Sequence, residues 1–173
     1  MRVLVSAASR HGSTAEMARE IAAVLTGAGL DAQVVPPDAV TSLVGWDAVV
    51  IGSAVYLGHW LASARDLIDR IGPELAERPV WLFSSGPVGD PPMPADAPED
   101  IDEIVALVHP RGHQVFAGRI DRGQLGLGEK VIASALRTPE GDFRPWTDVR
   151  GWAEGVAGAL MAPPETELEE KKA

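Results

Sequence analysis

Two rhythms alternate along this chain: short unbroken apolar runs, and longer segments in which apolar positions recur with helical period. Residues 2–5 form the first run and predict a strand. Residues 13–25 follow with Met17, Ile21, Val24 and Leu25 on one helical face, and Gly27 and Gly29 stop the helix. A shorter strand is predicted over 31–35, ended by Pro36 and Pro37. Residues 47–51 hold four consecutive apolar positions, the pattern of a strand buried on both faces. The alternation continues with a helix over 61–71, a strand over 79–83, a helix over 99–108 and a strand over 114–117. Two further helical stretches, 125–136 and 146–160, flank the turn-like Thr138-Pro139-Glu140-Gly141-Asp142.

Five strands alternating with helices imply an α/β domain with a parallel sheet covered on both faces. Such a sheet needs one closing helix, so the other C-terminal helix is an addition with a role in substrate access or self-association. A single domain over 1–162 accounts for this pattern. Residues 163–173 are polar and charged, begin with two prolines, and read as a disordered, solvated tail. Residues 89–98 form a loop rich in proline and acidic side chains.

Between the first strand and helix lies Ser9-Arg10-His11-Gly12-Ser13-Thr14. Hydroxyls, one glycine and a helix N-terminus offer a phosphate free N–H groups, the positive end of the helix dipole and extra donors. Ser13 followed three residues later by Glu16 also reads as a capping box. No G-x-x-x-x-G-K-[ST] is present, which argues against P-loop chemistry, and a single glycine in the first turn argues against a dinucleotide fingerprint. No acidic residue closes the first strand, so a phosphoryl-aspartate site has nothing to be built from. In open α/β sheets the ligand sits outside the carboxyl ends of the strands where the strand order reverses. That directs attention to three loops, 6–14, 52–60 and 84–89, with Tyr56 or Trp60 available to grip a planar ring.

Composition narrows the chemistry. With no cysteine there is no thiolate nucleophile, disulfide or cysteine-ligated iron–sulfur cluster. A net charge of −10 repels phosphate backbones, so nucleic acid is not the expected partner. No apolar run reaches membrane-spanning length and no leader fits before the first strand, so a cytoplasmic location without an integral membrane segment is expected. His109 and His113 have the spacing of a helical metal pair, but Pro110 and Gly112 interrupt any helix, and no metal site is expected. Arg119 and Arg122 read as surface ion pairs or as contacts to an acidic substrate group. Trp46, Trp81 and Trp152 read as packing residues.

The loop Ser9-Arg10-His11-Gly12-Ser13-Thr14 resembles the phosphate loop of flavodoxins, and the run from Asp47 through Tyr56 to Trp60 resembles the second flavin loop of flavodoxin-domain proteins. More narrowly, that run is similar to the branch containing menaquinone-dependent protoporphyrinogen oxidases. Val115-Phe-Ala-Gly-Arg119, Leu125 and Glu140-Gly-Asp-Phe-Arg-Pro-Trp146 resemble the C-terminal part of the same branch. The resemblance covers nearly the whole chain apart from the tail. It implies a flavodoxin-like three-layer sandwich with strand order 2-1-3-4-5 and an extra C-terminal helix. It also implies FMN, with Ser9, Arg10, His11, Gly12, Ser13 and Thr14 around the phosphate. Ala54, Val55, Tyr56, Leu57 and Gly58 would lie on one side of the ring, and Ser84, Ser85, Gly86 and Val88 on the other. His11 stands where the family usually has a hydroxyl residue, and Ala54 where many relatives have proline or another shape-fixing residue.

The function implied is a flavoprotein oxidoreductase passing electrons between FMN and a porphyrinogen- or quinone-type molecule. An electron shuttle between proteins, or a flavin-free binding or regulatory module, are the alternatives. No catalytic side chain is assigned; His59, in the second loop, is the candidate proton donor. Partners would be a redox protein or a small electron acceptor such as a quinone, and homodimers are common in the class.

Overall fold

The computed structural model describes residues 1–86, 88, 97–135 and 139–162. The tail expected over 163–173, most of the acidic loop and the end of the helix expected at 136 lie outside the described residues. The elements are β1 (Arg2–Ala8), α1 (Ser13–Gly27), β2 (Asp31–Val34), β3 (Ala48–Tyr56), β4 (His59–Trp60), α2 (Ala62–Leu75), β5 (Val80–Ser85), α3 (Ile101–Val108), β6 (Gly112–Phe116), β7 (Arg119–Ile120), α4 (Leu127–Ala135), β8 (Gly141–Asp142) and α5 (Trp146–Met161).

Five parallel strands run in the order β2-β1-β3-β5-β6. This is the expected order 2-1-3-4-5 once the two-residue β4, which pairs antiparallel with the end of β3, is set aside. Strand alternation divides the core into two layers. Val3, Val5, Ala48, Val50, Trp81 and Phe83 meet α1 and α5 on one face. Leu4, Val49, Ile51, Val80 and Leu82 meet α2 and α3 on the other. Ala48, Val49, Val50 and Ile51 are wholly inaccessible, as a strand buried on both faces requires. Each fully buried Leu, Ile or Val contributes about 1.5–3 kcal/mol.

Nine of the 15 residues of helix α1 are Ala, Met, Glu, Arg or Leu, all strong helix formers. It ends in a Schellman motif: Gly29 adopts φ 94°, its N–H reaches the Thr26 carbonyl, and the Leu30 N–H reaches that of Leu25. Among the described residues no helix is long and apolar enough to cross a membrane.

Two expectations need correction. The stretch 52–60 is not a loop: β3 continues from Ile51 through Gly52, Ser53 and Ala54 to Tyr56, then turns back into β4. Gly52 belongs to the strand because the Phe83 ring lies over it, and a Cβ there would come within 2.1 Å of that ring. The capping box is also absent. Gly12 is the N-cap, in the left-handed region at φ 81°, and Ser13 is the first helical residue. The first helical bond joins the Glu16 N–H to the Gly12 carbonyl, which places Glu16 one position beyond the capping-box site. Its carboxylate is held by arginines from the far end of the chain.

Candidate cofactor site

β1 lies between β2 and β3: the chain winds from β1 outward to β2 and then crosses back past β1 to β3, so the order reverses between β1 and β3, at their carboxyl ends. A cleft of about 760 Å³, open mouth included, lies there. Three walls form it. The first is the turn after β1 and the start of α1, with Ser9, Arg10, His11, Ser13 and Thr14. The second is the end of β3, with Ala54, Val55 and Tyr56, joined by Leu61. The third combines Ser85, Gly86 and Val88 with Gly118, Arg119, Ile120, Asp121, Gln124 and Leu125.

The first wall has the character of an anion site. The side-chain oxygens of Ser9 and Ser13 are buried and have no hydrogen-bond partner among the described residues. Leaving a buried hydroxyl unpaired costs about 1–3 kcal/mol, so two such donors beside a helix N-terminus fit a ligand with several acceptor oxygens. Thr14 is almost wholly buried beside them. Ser6 also has an unpaired buried oxygen, but it lies within the sheet and does not line the cleft.

The second wall carries an aromatic face. The Arg10 guanidinium stands 4.6 Å from the centre of the Tyr56 ring, linking the first wall to the second. Tyr56 is placed by a two-residue turn in which Leu57 and Gly58 both take positive φ, 50° and 84°, the signature of a tight hairpin. The turn is anchored from behind: the Glu99 N–H donates to the Gly58 carbonyl, and the Trp60 N–H donates to the Asp100 carboxylate.

The aromatic grip expected of Trp60 is a correction. Trp60 is buried, and its indole N–H donates at 2.8 Å to the Ser84 hydroxyl. Ser84 Oγ also lies 2.8 Å from His113 Nε2. The Ser84 hydroxyl thus accepts from Trp60 and shares a second hydrogen bond with His113, whose direction follows the tautomer of the ring. Burial lowers the His113 pKa below the usual histidine value, which agrees with a neutral ring.

Of the cofactor-site residues implicated by sequence, eleven line the cleft: Ser9, Arg10, His11, Ser13, Thr14, Ala54, Val55, Tyr56, Ser85, Gly86 and Val88; Arg119 lines it too. Gly12 caps α1 between them. Leu57 and Gly58 form the hairpin tip, and Ser84 is turned away toward Trp60 and His113. His59 does not line the cleft; it lies 3.6 Å from Glu99 across the turn. His109 closes α3 in a left-handed conformation, whereas His113 is on β6. Among the described residues no three metal-ligating side chains gather.

The third wall includes residues the sequence reading did not reach, Ile120, Asp121 and Gln124, beside Gly118, Arg119 and Leu125 from the stretches that carry the resemblance. They are placed by the ribbon of β7 and β8, which pairs Arg119 with Asp142 and Ile120 with Gly141. A four-ion cluster fixes that ribbon to α1. Arg144, whose side chain is 3% exposed, donates from Nη1 to Glu16 at 2.6 Å and from Nη2 to Asp142 at 2.6 Å. Arg119 reaches both Glu16 oxygens at 3.2 Å. The Arg144 hydrogen bond is the main influence holding Glu16 and Asp142 below the usual carboxylate range. Arg144 also stacks on Trp146 at 4.5 Å.

Comparison with known proteins agrees with this fold. A family model described as "Flavodoxin domain" matches residues 4–144. No curated protein matches the sequence. Among solved structures, a cysteine-to-serine mutant of flavodoxin from Pseudomonas aeruginosa superposes with a TM-score of 0.62 at 19% identity, covering 94% of this chain and all of that one. Oxidised flavodoxin 1 from Bacillus cereus gives 0.62 at 14% identity, with the same coverage. The rubredoxin oxygen:oxidoreductase from Desulfovibrio gigas gives 0.63 at 14% identity, covering 92% of this chain and 36% of that one.

Proposed function

This chain belongs to the flavodoxin-domain family and takes FMN as its cofactor, and on that premise we propose that it is an oxidoreductase acting on a small organic molecule. The observation that carries the cofactor site is the pair of buried, unpartnered hydroxyls of Ser9 and Ser13 at the start of α1. In this reading they hold the phosphate with Thr14, the N–H groups around Gly12 and the side chains of Arg10 and His11. Tyr56, Ala54 and Val55 form one face of the ring site, with Leu57 and Gly58 at its tip. Ser85, Gly86 and Val88 form the other face, with Ser84 fixing β5 behind them. When bound, FMN supplies the electron-transfer chemistry. The protein's own groups orient the ring, limit water access and set the polarity around it.

The third wall supports a small-molecule substrate. Ile120 and Leu125 provide apolar surface, and Asp121 and Gln124 a polar edge, over the cleft mouth. A porphyrinogen or quinone would suit such a surface, as would be expected of the protoporphyrinogen oxidase-like branch. One observation favours an electron shuttle as the second reading: Leu57, at the hairpin tip, is 65% exposed, an apolar contact point for a protein partner.

The test is the visible spectrum of the purified protein before and after excess FMN, followed by gel filtration. A flavin band travelling with the protein supports the reading, and no band and no uptake overturns it. Gly12→Asp should abolish uptake, because the position needs positive φ and the new carboxylate would face the phosphate. Reduced protein reoxidised by quinones or porphyrin precursors favours the enzyme; reoxidation by protein acceptors alone favours the shuttle.

A further inference from the structure

We propose that Arg144 and Arg119 neutralise Glu16 beside the phosphate loop, so that these two arginines, on and just after the ribbon of β7 and β8, set how tightly that loop holds a phosphate dianion. The proposal rests on the phosphate-loop reading above.

Glu16 occupies the first turn of α1. A carboxylate there gains from the positive end of the helix dipole, but so does a phosphate bound at the same terminus, and the two anions oppose each other. Helical side chains lean toward the N-terminus, which brings the Glu16 carboxylate toward the loop rather than away from it. The protein answers with two cations from 103 and 128 residues downstream. Arg144 and Arg119 face Glu16 and Asp142, two positive charges against two negative, and the cluster is neutral. Arg144 also reaches the loop itself, with Nη1 3.4 Å from the Ser13 carbonyl.

Charge counting then gives opposite signs for two substitutions. Removing Arg144 leaves one cation against two carboxylates, a net negative charge next to the loop. Removing the Glu16 charge leaves two cations against one carboxylate. A cluster that merely braced the ribbon would give a loss in both cases.

Full-length protein and its variants are titrated with FMN and with riboflavin, which has the same ring without the phosphate. For Arg144→Met, FMN affinity is expected to fall about tenfold while riboflavin changes by less than about twofold. For Glu16→Gln, the ratio of FMN to riboflavin affinity is expected to rise about threefold, and the double variant is expected to regain most of the wild-type ratio. Equal losses of both ligands in Arg144→Met, or an unchanged or lowered ratio in Glu16→Gln, would overturn the proposal. Glu16→Gln alone decides the matter if Arg144→Met does not fold. A wild-type protein that binds FMN no better than riboflavin would overturn the phosphate-loop reading, and the proposal with it; clear wild-type discrimination left unaltered by the variants would overturn the proposal alone.

Discussion

Arg10 lies 4.6 Å above the ring of Tyr56, so a cation from the turn after β1 covers the aromatic side chain presented by the end of β3. The two walls of the cleft thus meet through one stack, and any planar ligand that uses Tyr56 must share it with the guanidinium. Arg10→Ala should weaken FMN about five- to tenfold, because the phosphate loses a cation. Riboflavin should bind as well or better, because the Tyr56 face is uncovered. Quenching of flavin fluorescence measures both.

The unpaired hydroxyls predict a trade between stability and binding. Ser9→Ala and Ser13→Ala remove buried donors that have no partner among the described residues. Each should leave the cofactor-free protein equally stable or more stable, by up to about 1 kcal/mol, while lowering FMN affinity. Ser6→Ala removes the same kind of atom away from the cleft. It should match them in urea denaturation but leave FMN affinity unchanged.

Leu57 is a non-glycine residue at φ 50° in the hairpin turn. Leu57→Gly should stabilise the fold by about 1 kcal/mol, since the left-handed conformation costs a side-chain-bearing residue about that much. An unchanged or lowered melting temperature would contradict the strain assigned to this turn.

Stability should fall on acidification in two steps with different origins. Burial holds the His113 pKa below its ordinary value, so the unfolded chain takes up a proton first and stability declines as pH falls through about 6.5. Glu16 and Asp142, held low chiefly by Arg144, give stability that is complete above the ordinary carboxylate range and lost as pH falls below about 4.5. His113→Gln should remove the upper step alone, and Arg144→Met should shrink the lower one. Urea midpoints taken at intervals from pH 8 to pH 3 resolve them.

Local signals made the frame legible. The four apolar residues at 48–51 marked a doubly buried strand, and glycines at 27 and 29 marked the end of α1 where the Schellman motif forms. The turn around Gly12 stood out because its residues are adjacent in sequence and each suits a phosphate. What sequence did not reveal was decided by tertiary contact. Gly52 looked like a loop residue, yet the Phe83 ring requires glycine there within a strand. Trp60 looked like a ring-stacking residue until Ser84, 24 positions away, engaged its indole. Glu16 fitted a capping box, but its partners are Arg119 and Arg144. No spacing rule connects residue 16 with residue 144.

That distance has a consequence for how the protein matures. The turn after β1 leaves the ribosome before Arg144, which follows Glu16 by 128 residues. At about 5–20 residues per second, the delay is roughly 6–26 s. Until the ribbon of β7 and β8 and Arg144 are made, the nascent chain lacks the later half of the third wall and carries an uncompensated carboxylate on α1. Full affinity for the cofactor therefore awaits synthesis through residue 144, and chains terminated before it should hold FMN more weakly.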